Sequence, residues 1–442
     1  MRDRAVARRL PRALQPLRHE PYRWLFGTLV VSMLGAGLLI VALVWQVVAL
    51  GGGPTQLSAV TSASAVGMLV TTLLGGALAD RIPQRRILLG VELVQAAAIG
   101  VIAALSLAGL LDIWHLSVVS LVTGLAAGLY YPAYSALLPS LMPAEDLLAA
   151  NGLEGVLRPT LMQAAGPALA SALIALSSPG LALLAAAVAA LGAGLLVVGL
   201  PSTPVRRELV DTGQSPVAAV LADVREGFVY MIRTPWLLAT LLYASVMILV
   251  MMGPFEVLVP FAIKDMAGGG PQEHAYVLAA FGIGGAIGSL TVASFRLPRR
   301  YLTVMNLLWG LGCIPLVAYG LSSQVWVMVV AGFVMGAMFN GGMVIWGTLL
   351  QRRVPPELLG RVSSLDFFVS LAFMPVSMAL AGPVSELIGL EATFMIAGLA
   401  PTVLAVVAIL AARLPADEIA NPLDAVARDP SAELAALEQR PD

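Results

Sequence analysis

Apolar runs of about twenty residues or more recur along almost the whole chain, and this limits the folds open to it more than any other feature. A helix needs about 20 apolar residues to cross the hydrocarbon core of a bilayer. Candidate spans lie at 24–50, 56–79, 87–110, 113–138, 153–176, 179–200, 236–263, 274–295, 301–321, 324–350, 362–388 and 392–413. In lipid, backbone N–H and C=O groups must find partners inside the structure, so runs of this length read as helices. Only 12% of the 442 residues are charged, against roughly 25% in soluble domains, so a soluble fold would expose too little polar surface. The class expected is an all-α membrane protein with twelve transmembrane helices. The first run is too long for the roughly 7–15-residue apolar core of a signal peptide, so no cleaved leader is expected. Turn signals separate several runs: Gly51-Gly52-Gly53-Pro54, Ser177-Ser178-Pro179-Gly180 and Gly268-Gly269-Gly270-Pro271.

Charge fixes the expected orientation. With the N-terminus on the cytoplasmic side, every Arg falls in the N-tail, an even-numbered loop, a cytoplasmic helix end or the C-tail, and only Lys264 falls outside. This is the positive-inside pattern. One missed or invented helix would put Arg296, Arg299, Arg300, Arg352, Arg353 and Arg361 on the wrong side. The chain therefore reads as an integral, multi-pass protein of the cytoplasmic (inner) membrane with both termini inside. The basic N-tail either lies on anionic lipid headgroups or serves only as a topology signal.

The longest internal connection, 201–235, is polar and divides the spans six and six. The expected organisation is a basic N-tail at 1–22, a six-helix bundle at 23–200, a cytoplasmic linker at 201–235, a second bundle at 236–414 and an acidic C-tail at 415–442. That tail is expected to be mostly disordered, with a short helix at Ser431–Gln439. The halves repeat. Gly124-x3-Gly128 recurs as Gly332-x3-Gly336, Pro143-Ala144-Glu145 as Pro355-Pro356-Glu357, and Leu153-Glu154 as Leu365-Asp366. Two related halves are a common plan of secondary transporters, whose substrate site lies at the midplane between them.

The loop after the second run reads Gly75-Gly76-Ala77-Leu78-Ala79-Asp80-Arg81-Ile82-Pro83-Gln84-Arg85-Arg86. It resembles the signature loop of the major facilitator superfamily, with Pro83 where that motif has Gly. Small residues allow close helix approach. Asp80 is an anion placed to meet a helix N-terminus. The Arg cluster either pairs with carboxylates when the cytoplasmic side closes or only fixes topology. Gly76, Asp80, Arg81, Arg85, Arg86 and Arg361 form the expected gate. Gly166-Pro167 in the fifth run is similar to the G-P-x-x-G stretch of antiporters in this superfamily, with Ala170 at the second Gly. The alternative is an ordinary kinked helix. Three further stretches, Met252–Pro260, Pro356–Leu365 and Arg225–Phe228, look like the macrolide-efflux and enterobactin-exporter branch. The resemblance covers roughly residues 20–415. It implies two pseudo-symmetric six-helix bundles and a proton-driven exporter of amphiphilic small molecules. Many members carry an Asp after the Gly of the first helix, whereas here Ala36 follows Gly35.

An unpaired charge inside a span is costly, so intramembrane ionisable groups are functional candidates. Glu256 lies beside Gly253-Pro254 and is the first proton-coupling candidate; a hydrated vestibule residue is the alternative. Asp366 is a gate partner for Arg81 or Arg85, a proton site or a solvated helix end. Glu154, its repeat mate, is spaced to pair with Arg158 on one helix face, either as a structural ion pair or as a substrate contact. Glu92 sits in a peripheral helix, where a structural pairing is expected. Gln163 and Asn340, near the midplane, either bind substrate or bridge helices. Tyr130, Tyr131, Trp346 and the run Met247–Met252 either line an adaptable cavity or pack. Trp45 reads as an interfacial belt residue, and Cys313 as packing.

No P-loop or nucleophile elbow is present, and His19, His115 and His274, all expected near water, share no metal spacing. The chain is expected to be no enzyme, to need no cofactor or metal and to bind no nucleic acid. Its expected partners are an amphiphilic small molecule, protons and membrane lipids, and its expected state is a monomer. The competing readings are an uptake symporter, a lipid or lysolipid flippase and a membrane receptor.

Overall fold

The computed structural model describes residues 12–79, 82–201, 225–226, 228–355, 358–359, 362, 365–366, 368–369 and 372–423. Among them there are helices and turns but no strand. A short 3-10 helix, Arg12–Arg18, leads into α1, Glu20–Ala49. There follow α2, Pro54–Ala79; α3, Gln84–Leu107; and α4, Ile113–Leu137. Helix α5 has three pieces, an α-helix Ala144–Leu157, a π-helical stretch Arg158–Ala165 and an α-helix Gly166–Leu176. Helix α6 is Pro179–Val198. Helix α7 runs from Pro235–Gly253 through π-helical turns at Pro254–Leu258 and Ala262–Met266. Then come α8, Pro271–Ser294; α9, Tyr301–Cys313 with Leu316–Leu321; α10, Val325–Arg353; α11, described over Met374–Ile388; α12, Leu390–Ala411; and α13, Leu414–Ala420. Ten helices among the described residues are long and apolar enough to cross a membrane. The chain is an integral, multi-pass membrane protein.

Sequence explains where the helices are interrupted. Pro cannot donate the backbone hydrogen bond that a helix interior requires, and both α5 and α7 widen into π-helix at a proline, Pro159 and Pro254. Such single-turn widenings recur at functional sites. Helix α12 ends at Arg413, whose φ of 49° is left-handed, and this reverses the chain into α13.

Glycines set the tightest crossings, because lipid provides little drive for association and backbones must approach closely. The two Gly-x3-Gly repeats do the same work in each half. A Cβ on Gly124 would lie 2.1 Å from the Ser64 carbonyl, joining α4 to α2, and one on Gly336 would lie 2.1 Å from the Phe281 carbonyl, joining α10 to α8. Gly166 meets Gly37 of α1, where a Cβ would come within 2.7 Å of its Cα. The corresponding crossing in the second half joins α7 to α11: a Cβ on Gly253 would lie 2.1 Å from the Ser377 carbonyl, and the Gly253 N–H donates to Ser377 Oγ at 2.7 Å. The Gly-Pro step of α5 is thus part of a helix–helix contact rather than a bare kink.

The helix ends on the side of the short N-terminal helix, here the tail side, are fastened by side chains. In the first half His19 Nε2 lies 2.7 Å from the buried Asp146 carboxylate and Arg18 lies 3.6 Å from it. In the second half Arg353 pairs with both carboxylate oxygens of Asp417 and sits 4.5 Å over the Trp236 ring. Glu418, also buried, accepts from Thr303 N at 2.6 Å and Thr303 Oγ1 at 3.0 Å. Structure therefore continues beyond Pro415, where disorder is expected from composition. Glu418 and Asp417 are anchored by partners too distant in sequence to be seen there. Ser431–Gln439 lies outside the described residues.

A cavity between the two halves as candidate functional site

The halves meet most tightly on the side opposite the tails. Gly382 N–H of α11 donates to Ser58 Oγ of α2 at 2.7 Å. The backbones pass so closely that a Cβ on Gly382 would lie 2.5 Å from the Pro54 carbonyl. A second contact lies nearer the midplane, where Gln163 of α5 covers Gly282 of α8, with Oε1 2.7 Å from where a Cβ would stand. Beneath the Ser58–Gly382 seal is a cavity of about 310 Å³, walled by α1 to α5 from one half and by α7, α8 and α11 from the other.

Its wall is mainly aliphatic, with Leu39, Ile40, Ile99 and Leu278, and carries four methionines, Met68, Met162, Met374 and Met378. A few polar groups interrupt it, including Gln95, Ser120 and Thr123. Among the described residues lining it, Glu256 and His274 are the ionisable groups. Glu256 lies in the π-helical turn Pro254–Leu258 of α7 and is exposed into this space. His274 is 4% exposed, and its Nδ1 has no hydrogen-bond partner. Ala36 of α1 lies on the same wall.

The other candidates are distributed differently. Asp366 accepts from Trp346 Nε1 at 3.0 Å, within the second half. Trp346 is buried between Trp236 and Trp309, away from the cavity. Asn340 donates to the Gly336 carbonyl of its own helix at 3.1 Å and packs across on Gly285 of α8, and Gln163 packs across on Gly282 of the same helix. Arg158 pairs with Glu154 at 3.4 Å on one face of α5. Tyr131 is 57% exposed, on the face of α4 that carries the cavity-lining Ala127 one turn earlier, and Tyr130 turns its hydroxyl into the first half's interior. Arg85 donates to the Val198 carbonyl at 2.5 Å and so caps α6, while Arg86 is exposed. Asp80, Arg81 and Arg361 lie outside the described residues, and Gly76 is described only as part of α2.

Three expectations need correction. Trp45 is buried in the core, not in an interfacial belt. His274 is buried at the cavity wall, not near water. Glu92, where a structural pairing is expected, has no charged partner among the described residues and stands beside the Ser32 hydroxyl. Of the two roles open to the methionine run, Met247 and Met251 take packing in the core, and the cavity takes its methionines from α2, α5 and α11. The signal that could have found His274 is its position three residues into α8 after Gly270-Pro271, where the chain enters against α7 rather than into solvent.

Residues 12–440 match the profile of the transmembrane secretion effector family. The chain belongs to that family, a branch of the major facilitator superfamily. Macrolide efflux protein A of Streptococcus pyogenes is 26% identical over 374 residues, covering 83% of this chain and 90% of that protein. The multidrug efflux pump Tap of Mycolicibacterium fortuitum is 28% identical over 393 residues, covering 86% and 93%. Among solved structures, the nucleoside transporter NupG superposes with a TM-score of 0.71 at 14% identity, covering 88% of this chain and 98% of NupG. An inward-facing bacterial homolog of the human lysosomal transporter Spinster gives 0.64 at 14%, covering 92% and 98%. These structures share the fold. This family member is a transporter, and its efflux relatives support an efflux role.

Proposed function

We propose that this secretion effector family member is a proton-coupled exporter of amphiphilic small molecules that works by alternating access. It would reside as a monomer in the cytoplasmic membrane with both termini inside. The observation that carries the reading is a cavity at the interface of the halves with aliphatic and methionine walls and one exposed carboxyl group, Glu256. Such a wall suits lipophilic ligands of varied shape, and a sugar or nucleoside would need more polar anchors. The relatives' names, macrolide and multidrug efflux, support the same direction.

In this reading the Ser58–Gly382 contact is the closed side of the pathway. Rocking one half against the other would break it and close the tail side, with Asp80, Arg81, Arg85, Arg86 and Arg361 as the closing group. Glu256 is the carboxyl that exchanges a proton with the outward medium, and His274 shares its compartment. When Glu256 is protonated the cavity carries no anion, which favours return without substrate. When it is ionised a cationic amphiphile finds a counter-charge. Asp366 and Glu154 are alternative coupling groups.

The test has two parts. Expression in an efflux-deficient host should lower the susceptibility to, and accumulation of, lipophilic inhibitors. In proteoliposomes wild type should move protons when a macrolide is added, and Glu256→Gln should lose that movement while retaining macrolide exchange. Unchanged proton movement in the variant removes Glu256 from the mechanism and leaves Asp366 or Glu154.

A second reading, flipping of a lipid-like amphiphile, is favoured by a separate groove of about 560 Å³ between α5 and α8. Its floor is Ala164, Ala168 and Ala172, and its rim carries Gln272 and Tyr276. Transfer of a fluorescent lysolipid between leaflets of proteoliposomes would distinguish the two.

A further inference from the structure

Glu92 occupies the middle of α3 and is fully buried. No charged group pairs with its carboxyl, and the Ser32 hydroxyl of α1 is the hydrogen-bonding group beside it. Helix α6 presses on its stem, where a Cβ on Gly194 would lie 3.4 Å from Glu92 Cβ, and α6 carries no titratable residue from Pro179 to Val198. From α1 Ser32 stands beside Glu92 and beside Tyr130. From α4 comes Tyr130, whose hydroxyl is buried and lacks a partner of normal geometry. The polar file continues. The Tyr130 and Tyr134 rings stack at 6.5 Å, Tyr134 stands beside Glu154, and Glu154 pairs with the half-exposed Arg158 at 3.4 Å. Gln95, one turn along α3 from Glu92, is on the wall of the central cavity.

A charge without a partner is expensive in a membrane interior, so the packing around Glu92 accommodates the neutral acid. A carboxyl group with one hydroxyl beside it and no counter-charge does nothing for α3 that a neutral amide would not do as well. It can, however, store a proton. Its surroundings supply the remaining parts, hydroxyls that both donate and accept and an ion pair at the wetter end.

We propose that Glu92 is an internal proton-storage site of the first half, connected through Ser32, Tyr130 and Tyr134 to the Glu154–Arg158 pair. The Tyr130 and Tyr134 hydroxyls are both buried without a hydrogen-bond partner in this state, so the path is made when their side chains turn toward one another. A proton from water then reaches the Glu154 carboxylate and is passed along the hydroxyls, each giving up one proton as it receives another. It ends on the Glu92 carboxylate, and release runs the same steps backwards. Because α3 also walls the cavity at Gln95, loading Glu92 removes a buried charge next to the wall whose position changes in transport. This rests on the proton-coupled reading above and adds a second site, in the opposite half from Glu256.

The test uses full-length protein in proteoliposomes containing a pH dye, with erythromycin as the probe. Wild type should show probe-driven proton movement. E92Q keeps the shape and cannot ionise; it should lose that movement while erythromycin exchange across the membrane stays at the wild-type rate. E92D should restore coupling, and Y130F should slow proton movement without changing exchange. Infrared difference spectra should show a protonated-carboxyl band in wild type that is missing in E92Q. If wild type is coupled and E92Q is equally coupled, this proposal is overturned and the coupled reading stands. If E92Q loses exchange together with coupling, and E92D does not restore it, the role is structural and the proposal is again overturned. No proton movement in wild type overturns the coupled reading itself, and this one with it.

Discussion

The two halves use the same frame and load it differently. In the first, α1 and α5 cross at Gly37 and Gly166, and in the second, α7 and α11 cross at Gly253 and Ser377. The polar groups do not follow this symmetry. On its tail side the second half pairs Arg353 with Asp417, Glu418 with Thr303 and Asp366 with Trp346, and its Glu256 and His274, whose Nδ1 has no partner, face the cavity. The first half keeps Glu92 without a counter-charge in its interior, and its tail-side fastening has an exposed Arg18 and a histidine where the other has a guanidinium fork. Contacts that follow the repeat join the helices alike in both halves, and the polar groups that break it are where the halves differ.

Breaking the shared frame should have the largest effect. Gly253→Val places side-chain atoms where the Ser377 carbonyl already stands, and overpacking of this kind costs about 1–3 kcal/mol or more. Loss of the monodisperse peak in detergent size exclusion, well below wild-type yield, is the expected result. The fastenings come next and should differ from each other. Asp417→Ala strands a guanidinium that is 10% exposed, for about 1–3 kcal/mol. Asp146→Asn keeps a hydrogen-bond acceptor for His19 and should cost about 1 kcal/mol or less. Thermal melting of the two variants side by side reads the order, and equal shifts would erase the contrast between halves. Trp346→Phe removes the donor to Asp366, for about 0.5–1.5 kcal/mol, and should lower melting without altering macrolide exchange. The smallest effect belongs to Gly90→Ala. Nothing lies within 4 Å of a Cβ there, so helix propensity should raise stability by up to about 1 kcal/mol.

Much of this frame was legible in the sequence. Run length gave the helices, and the Gly-x3-Gly repeat marked the two halves as related, although which helices its glycines bring together, α2 with α4 and α8 with α10, is seen only in the fold. Spacing by four residues gave the Glu154–Arg158 pair. What escaped were groups whose neighbours come from distant helices. Periodicity cannot show that Glu92 faces α1, α4 and α6 with no counter-charge, nor that Trp346 turns to Asp366 rather than to the cavity. Glu256 was recognisable because a Gly-Pro step preceded it, and it lies in the π-helical turn that begins at Pro254. His274 was misread because proximity to a helix start suggested water, when the start of α8 is packed inside.

The seal at the far side has a consequence of a different kind. Its donor is the main chain at Gly382, and its acceptor is the hydroxyl of Ser58. A backbone amide is specified by every codon except those for proline, so variation at 382 leaves the donor in place, although any larger side chain would collide with Pro54. Only the partner at 58 can be inherited with or without the bond. Under the proposed alternating access, position 58 is thus where the hydrogen bond of this seal can be gained or lost by inheritance, and natural variants that open to the far side sooner or later should be sought first there.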